Sequence, residues 1–365
     1  MIYMDHSATT PLCEAAKQAI FEHIDDYGNP SSVYEFGRKS RMLIEDARER
    51  ISKCINAEPD EIYFTSGGSE ANSWALKMNT VLTSTIEHHS TKGIKCIEVD
   101  SNGIIDITKS EQLIQQYCDE FWGADIVSCM MVNNELGTIQ PINTIAKIAH
   151  EHKLCFHTDA VQAVGHIPID VKSIGCDMLS ASGHKFNALK GSGFLYIKKD
   201  SFKPFKLIDG GKQEQGLRSG TENVLGIVSM AAALEDAIEH MEERNKYIKN
   251  LRDKMLNKLL QINGAHLNGS LEQRTVSNIN IRFDGVSGSR LVALCDLYGL
   301  CISSGSACNE GNATASHVLK AIGLTDEEAL SSIRITLGYQ NTEEEVDQAA
   351  KIIARLVERI RENEE

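Results

Sequence analysis

Leu154-Cys155-Phe156-His157-Thr158-Asp159 opens the stretch that decides the fold, and Asp177-Met178-Leu179-Ser180-Ala181-Ser182-Gly183-His184-Lys185 closes it. Each is a short apolar run of strand type that ends on polar residues: the first at the carboxylate of Asp159, the second at His184-Lys185. Outward from this pair the same texture repeats. Glu61-Ile62-Tyr63-Phe64-Thr65 reads as a strand ending at Gly67 and Gly68, and Asp125 to Val132 as a buried strand running into Asn133-Asn134. Ile142 to His152 is helical, with Ile142, Ile145, Ile148 and Ala149 on one face, and Gly193-Phe194-Leu195-Tyr196-Ile197 is a last strand. Strands alternating with helices predict an α/β fold with a mostly parallel sheet flanked by helices.

Beyond this region the pattern changes. A long helical stretch runs from about Asn223 to Ile262, carrying Leu234, Ile238, Met241, Ile248, Leu251, Met255 and Leu259 at helical spacing. After Gly264, short strands such as Ser277 to Ile281 and Ser332 to Thr336 mix with helices near 287–299 and 343–361. The expected organisation is a large α/β domain over 12–240. A smaller α+β domain is expected from 1–11 and 241–365, with the first dozen residues near the interface.

A chain of 365 residues is long enough for two cores. Its net charge of -14 argues against nucleic acid or a membrane surface as the main partner, although Arg38, Lys39 and Arg41 form one small basic cluster. No run approaches a membrane span, and Met1-Ile2-Tyr3-Met4-Asp5-His6 has no basic or apolar leader character, so a cytoplasmic location without a direct membrane partner is expected. The ten cysteines contain no Cys-x-x-Cys pair, so neither a metal site nor a thioredoxin-type motif is expected. Reduced thiols acting as small buried hydrophobes account for most of them.

The polar residues gather where the strands end, the edge at which open α/β sheets bind ligands. Thr65-Ser66-Gly67-Gly68-Ser69-Glu70-Ala71-Asn72 is a glycine turn opening a helix, whose N–H groups favour a phosphate. It lacks the Gly-Lys-Ser/Thr of a nucleotide loop. Asp159 by itself reads more readily as a helix cap, and an isolated lysine is usually solvated. The ordered combination differs: a phosphate turn, then a strand-end carboxylate for a pyridinium nitrogen, then Lys185 at a strand end, is what pyridoxal phosphate requires.

The same residues belong to a wider set of matches: Tyr3-Met4-Asp5-His6-Ser7-Ala8-Thr9-Thr10-Pro11, Gly28-Asn29-Pro30-Ser31-Ser32, Phe64 to Glu70 and Glu87-His88. Further along come Val132-Asn133-Asn134-Glu135-Leu136-Gly137, Thr158-Asp159-Ala160-Val161-Gln162, Ser182-Gly183-His184-Lys185 and Leu217-Arg218-Ser219-Gly220-Thr221-Glu222-Asn223. Ser303-Ser304-Gly305-Ser306-Ala307-Cys308 and Ser331-Ser332-Ile333-Arg334 complete the set. Over nearly its whole length the chain resembles the cysteine desulfurases of the NifS/IscS type, within the class V aminotransferases. That resemblance implies a pyridoxal-phosphate enzyme of fold type I with a seven-stranded sheet, converting L-cysteine to L-alanine and passing sulfur to Cys308 as a persulfide. Lys185 would hold the cofactor and move protons between it and the substrate Cα. Asp159 would pair with the ring nitrogen and His88 stack on the ring, with Gln162 and Asn134 near the ring hydroxyl. Gly68, Ser69, Ser182 and His184 would bind the phosphate, joined by Thr221 from the second subunit of a homodimer. Arg334, with Asn134 beside it, would take the substrate carboxylate. The sulfur would go on to an acceptor protein, an iron–sulfur scaffold or a thiolation enzyme for tRNA or a thio-cofactor.

Cys308 lies among small residues, Ser303 to Ala307 before it and Asn309-Glu310-Gly311-Asn312 after it, which predicts a mobile loop suited to a nucleophile. Cys301, between Leu300 and Ile302, reads as buried. The chain is shorter than the resemblance implies between Lys77 and Thr83, and it passes from His89 to a strand near Ile94 without a helix. Leu189, Lys212, Gln215 and Ala315 also depart from the family pattern. Other readings stay open: a selenocysteine lyase or a class V aminotransferase on the same scaffold, and a binding protein that keeps a degenerate site.

Overall fold

The computed structural model describes residues 1–120, 125–201, 205–304, 307–309 and 312–362, without the side chains of residues 95, 119–120, 307–309 and 312–313. Seven strands form the central sheet, in the spatial order Ile62–Thr65, Gly193–Ile197, Met178–Ser182, Cys155–Asp159, Ile126–Ser128, Val81–Ser84, Lys95–Ile97. Only Gly193–Ile197 runs antiparallel to its neighbours; the remaining pairings are parallel. The Met178–Ser182 strand is buried along its whole length, as is Cys155–Asp159 after its first residue. That is why both read as continuous apolar runs and not as alternating ones.

Helices Glu35–Cys54 and Val224–Glu239 pack together on one face, and Ile107–Glu120 and Ile142–Glu151 belong to the crossovers that return the chain to the parallel strands. Arg48 ties the first of these helices to the sheet. Its guanidinium makes two 2.9 Å bonds to Glu214 and one of 2.6 Å to the carbonyl of Ile62, and Glu214 also accepts from the N–H of Phe64 at 2.8 Å. With both charges enclosed, losing Arg48 would leave the Glu214 carboxylate buried without its charge partner, whereas Arg48 also meets Glu45 at 3.1 Å.

A four-stranded antiparallel sheet follows, ordered Ser303–Ser304, Ser332–Thr336, Asn278–Phe283, Ala265–Leu267. Helices Met241–Leu259, Gly288–Leu297 and Glu343–Glu362 cover it through Leu251, Met255, Leu291, Ile353 and Val357, packed on Ile279, Ile281, Ile333 and Ile335. Ile2 and Met4 enter this core, and Ile2–Tyr3 pairs in parallel with Leu300–Cys301. A separate apolar cluster joins Ile86, Met130 and Leu136 to Val318, Leu319 and Ile322, so the segment after residue 315 rests on the strand-end loops of the large sheet.

Several expectations shift in detail. The stretch 223–262 is two helices, not one: at His240 the backbone leaves helical geometry (φ -102°, ψ 9°), and its ring bonds back to the carbonyl of Asp236 at 2.9 Å. Ile238 is consequently exposed. The strand expected from Asp125 to Val132 is regular only over Ile126–Ser128; from Cys129 the chain keeps single bonds to its neighbour, Cys129 N–H to the carbonyl of His157 and Met131 N–H to that of Asp159. Cys301 is half-buried, not buried. The stretch 90–94 is without a helix before Lys95–Ile97, as read.

Cys308 does not sit in a plain loop. Residues 307–309 pair antiparallel with 312–314, Cys308 opposite Ala313, in a short ribbon. Gly305-Ser306 and Glu310-Gly311, on which the loop reading leaned, lie outside the described residues, as does the side chain of Cys308.

Candidate active site

Twelve of the sixteen residues around one cleft of about 240 Å³ belong to the motifs above as cofactor, substrate or N-terminal residues, and the cleft opens where the parallel strands end. Gly68, Ser69, His88, Asn134, Asp159, Gln162, Ser182, His184, Lys185 and Arg334 all line it, together with Ser7 and Ala8. Thr221 is exposed and lines neither this cleft nor the one beside it.

Asp159 terminates the central strand and is almost fully enclosed. One carboxylate oxygen accepts from the N–H of Val161 at 2.9 Å and the other from the amide of Asn72 at 2.6 Å. Burial raises its pKa against the opposing effect of these two bonds. Among the described residues no cation lies in ion-pair contact with it, so a protonated ring nitrogen in the cleft would supply the missing positive partner. Asn72 stands one helical turn beyond Gly68 and also donates to Ser90 Oγ at 2.9 Å, which in turn meets His88 Nδ1 at 2.7 Å. The backbone N–H of Ser90 points at the same Nδ1 (3.2 Å), which assigns that nitrogen as an acceptor. Burial lowers the imidazole pKa. A neutral ring held edge-on by Ser90 is suited to lie against an aromatic face.

Lys185 follows the Met178–Ser182 strand in a single tight turn, Gly183–Lys185. Its amine donates to the carbonyls of Ser7 (2.5 Å) and Ala8 (2.8 Å). Burial and the nearby Arg334 lower its pKa to about 8, against the opposing pull of Asp5 and Asp159. About a tenth of this amine is therefore neutral at pH 7, far more than for an ordinary lysine, and it is the neutral amine that attacks a carbonyl. Gln162 donates to the same Ser7 carbonyl at 3.0 Å, so residues 5–9 form a shared wall.

The helix Gly68–Ala75 opens toward the cleft, its first-turn N–H groups lacking partners within the helix. A Cβ on Gly68 would fall 2.4 Å from Val161 Cγ2, so any larger residue there would force the Val161 side chain to shift. A second, shallower cleft adjoins at this helix end, sharing Gly68, Ser69, Ser182 and His184 and adding Lys190. His184 is fixed by Thr9 Oγ1 at 3.1 Å, and burial beside Lys185 and Lys190 lowers its pKa to about 4. The donor set of helix end, hydroxyls and lysine fits a phosphate monoester, and the cleft with Asp159 and Lys185 fits a pyridine aldehyde. The residues present therefore match the group that the sequence pointed to.

Sequence reasoning missed three side chains here. Asn72 was visible only as the i+4 partner of Gly68. Asp5 was quoted within a motif without a role, yet its carboxylate meets Arg334 Nη2 at 2.8 Å. Glu87 is fully enclosed, accepts from Ser84 Oγ (2.5 Å) and the N–H of Met130 (2.8 Å), and burial pushes its pKa to about 8.

A strand-end lysine and carboxylate facing a helix N-terminus across one cleft, on a sheet with this strand order, define a fold type I α/β enzyme. The chain belongs to the aminotransferase class-V family, whose model matches residues 2–349. Among its relatives, the cysteine desulfurase IscS of Methanosarcina thermophila is 40% identical over 381 residues, covering 99% of this chain and 93% of that protein. A NifS-like protein from Rickettsia africae ESF-5 superposes with a TM-score of 0.88 at 32% identity, over 99% of both chains. The structure described as SspA in complex with cysteine gives a TM-score of 0.79 at 31% identity, over 94% of this chain and all of that one.

Proposed function

We propose that this protein is a pyridoxal-phosphate-dependent cysteine desulfurase that converts L-cysteine to L-alanine and loads the sulfur on Cys308. The observation that carries the reading is the convergence of Lys185, Asp159, His88 and Arg334 on one cleft beside a phosphate-type helix end. The desulfurase relatives and the cysteine-bound neighbour support it. Bound pyridoxal phosphate supplies an electron sink for the bond pair released at the substrate Cα. Lys185 would hold it and carry the Cα proton, Asp159 would pair with its ring nitrogen, His88 would stack on the ring, and Arg334 would orient the substrate carboxylate.

The Cys308 thiolate attacks the cysteine sulfur; an S–S bond forms as the Cβ–S bond breaks, and its electron pair takes a proton at Cβ to give the methyl group of alanine. The thiol sulfurs are oxidised to the persulfide level and Cβ is reduced, so no outside oxidant is needed. An acceptor protein, whether an iron–sulfur scaffold or a thiolation enzyme, would then take the sulfur, and a cytoplasmic location fits the reduced thiols. Among the described residues no helix is long and apolar enough to cross a membrane. We place the large domain at 12–240 and the small one at 1–11 and 241–365, either side of the two largest apolar clusters.

The test is incubation of the holoenzyme with L-cysteine. Alanine should appear, and peptide mass spectrometry should find one added sulfur on the Cys308 peptide; keto-acid formation without alanine would instead mark an aminotransferase.

A homodimer is part of the same reading. Phe21, Ile24, Tyr27, Val33, Tyr34, Phe36 and Met42 are all exposed within one short segment, more apolar surface than water-facing helices ordinarily carry. Thr221, exposed here, would reach the partner's phosphate. Sedimentation should give twice the chain mass, and a fully active monomer would refute the shared site.

A further inference from the structure

The chemistry above leaves Asp5 without a task, although it touches the residue that takes the substrate carboxylate. Arg334 is fixed by two acceptors: Nη2 donates to Asp5 Oδ1 at 2.8 Å and Nη1 to the carbonyl of Asn134 at 3.0 Å. Its Nε is enclosed without a hydrogen-bond partner. The other Asp5 oxygen accepts from Ser303 Oγ at 2.8 Å.

Asp5 is held firmly. Ile2 and Met4 are buried before it, its backbone bridges to Thr336, and Tyr3 donates its hydroxyl to the carbonyls of Asp5 (3.0 Å) and Thr9 (2.8 Å). Both charges are largely shielded, with side-chain exposures of 11% for Arg334 and 16% for Asp5, so their attraction is less screened than at a free surface. The arginine carries one positive charge. A ligand carboxylate arriving in the cleft must share that charge with a carboxylate already there.

We propose that Asp5 is a positioning residue with two effects: it aligns the Arg334 guanidinium, and it competes with the α-carboxylate of amino-acid ligands for that charge. The inference rests on the reading of Arg334 as the carboxylate clamp. Substrate and alanine product carry the same carboxylate, so interaction with it stabilises both alike and does not favour the transition state. A resident competitor weakens that uniform binding and eases release of alanine, while the guanidinium stays oriented between ligands.

Asp5→Asn isolates the charge. The amide keeps an oxygen for Arg334 and presents its nitrogen to Ser303 Oγ, which can accept in place of donating. Titrating the holoenzyme with L-alanine and with ethylamine, the same amine without its carboxylate, separates the two roles. L-Alanine should bind Asp5→Asn at least about threefold more tightly than wild type, as expected for removing one shielded like charge. Ethylamine affinity should not change. Ser303→Ala keeps the Asp5 charge and should give no tightening.

Equal or weaker alanine binding by Asp5→Asn, an equal shift for both ligands, or tightening in Ser303→Ala would overturn the proposal. Wild-type protein that binds L-alanine no better than ethylamine would sink the reading of Arg334, and this inference with it.

Discussion

Lys185→Ala should lower alanine production from L-cysteine by at least about 10⁴-fold, the upper range of what a positioned proton carrier contributes. The larger figure is warranted because one amine would do two jobs, attachment and proton transfer, and among the described residues no second lysine lines the cleft. Lys190 lines the adjoining phosphate-type cleft and not the one that holds Asp159. The fold should survive, since the amine bonds only to the carbonyls of Ser7 and Ala8, and Gln162 still donates to the first of these. Borohydride reduction should fix the cofactor to the wild-type chain and not to the variant, which would still hold it through phosphate contacts. In wild-type apoprotein, attachment should accelerate as pH rises through about 8 and then level off. Burial has lowered the amine pKa to that value, and only the neutral form attacks. Normal turnover by the variant would remove Lys185 from the chemistry.

The residues that proved legible in the sequence are those whose role is set by place along one strand. Asp159 and Lys185 each follow a buried apolar run, and a strand end in a parallel sheet fixes which edge a residue faces before any contact is known. Gly67-Gly68 was legible for the same reason. Residues whose role depends on contacts across the chain were not. Asp5 meets Arg334 over more than three hundred positions, and pairing of the N-terminal segment with Leu300–Cys301 and with Thr336 brings them together. Glu87 gave no hint of full burial, because Glu87-His88 reads as a polar pair at a loop; its depth comes from Ser84 and Met130 on adjacent strand ends. The break at His240 escaped because apolar spacing continues through it, Ile238 and Met241 falling at the distance a single helix would give. The Cys308 ribbon was hidden by composition: Ser, Gly and Asn are poor strand formers, and here pairing of the two short arms overrides that preference.

Cys308→Ser should abolish persulfide formation and reduce sustained alanine release by roughly three orders of magnitude or more, the scale of removing a nucleophile that acts with its partners as a unit. Binding of cofactor and cysteine should be retained, since the described cleft is complete without this side chain. The described residues on either side of the ribbon tie both of its ends to the cleft. Before the ribbon, Ser303 is anchored through Asp5 to Arg334 at the cleft wall. After it, Ser316 Oγ donates to Glu135 at 2.5 Å and His317 Nε2 lies 2.9 Å from the carbonyl of Glu87, next to His88. Both legs thus spring from the cleft rim. Cys308 follows Ser303 by five positions in the chain. The other cysteines lack this combination. Burial pushes the thiol pKa of Cys295 up to about 12 and that of Cys129 well above its usual value, which keeps both protonated and unreactive. Cys301 is half-buried in a strand paired with Ile2–Tyr3. In the serine variant the hydroxyl can occupy the same place but cannot carry sulfur, so a single substrate should bind and stall. Persulfide found on Cys301 or Cys295 of the wild type, or wild-type alanine release from Cys308→Ser, would transfer the nucleophile's role elsewhere.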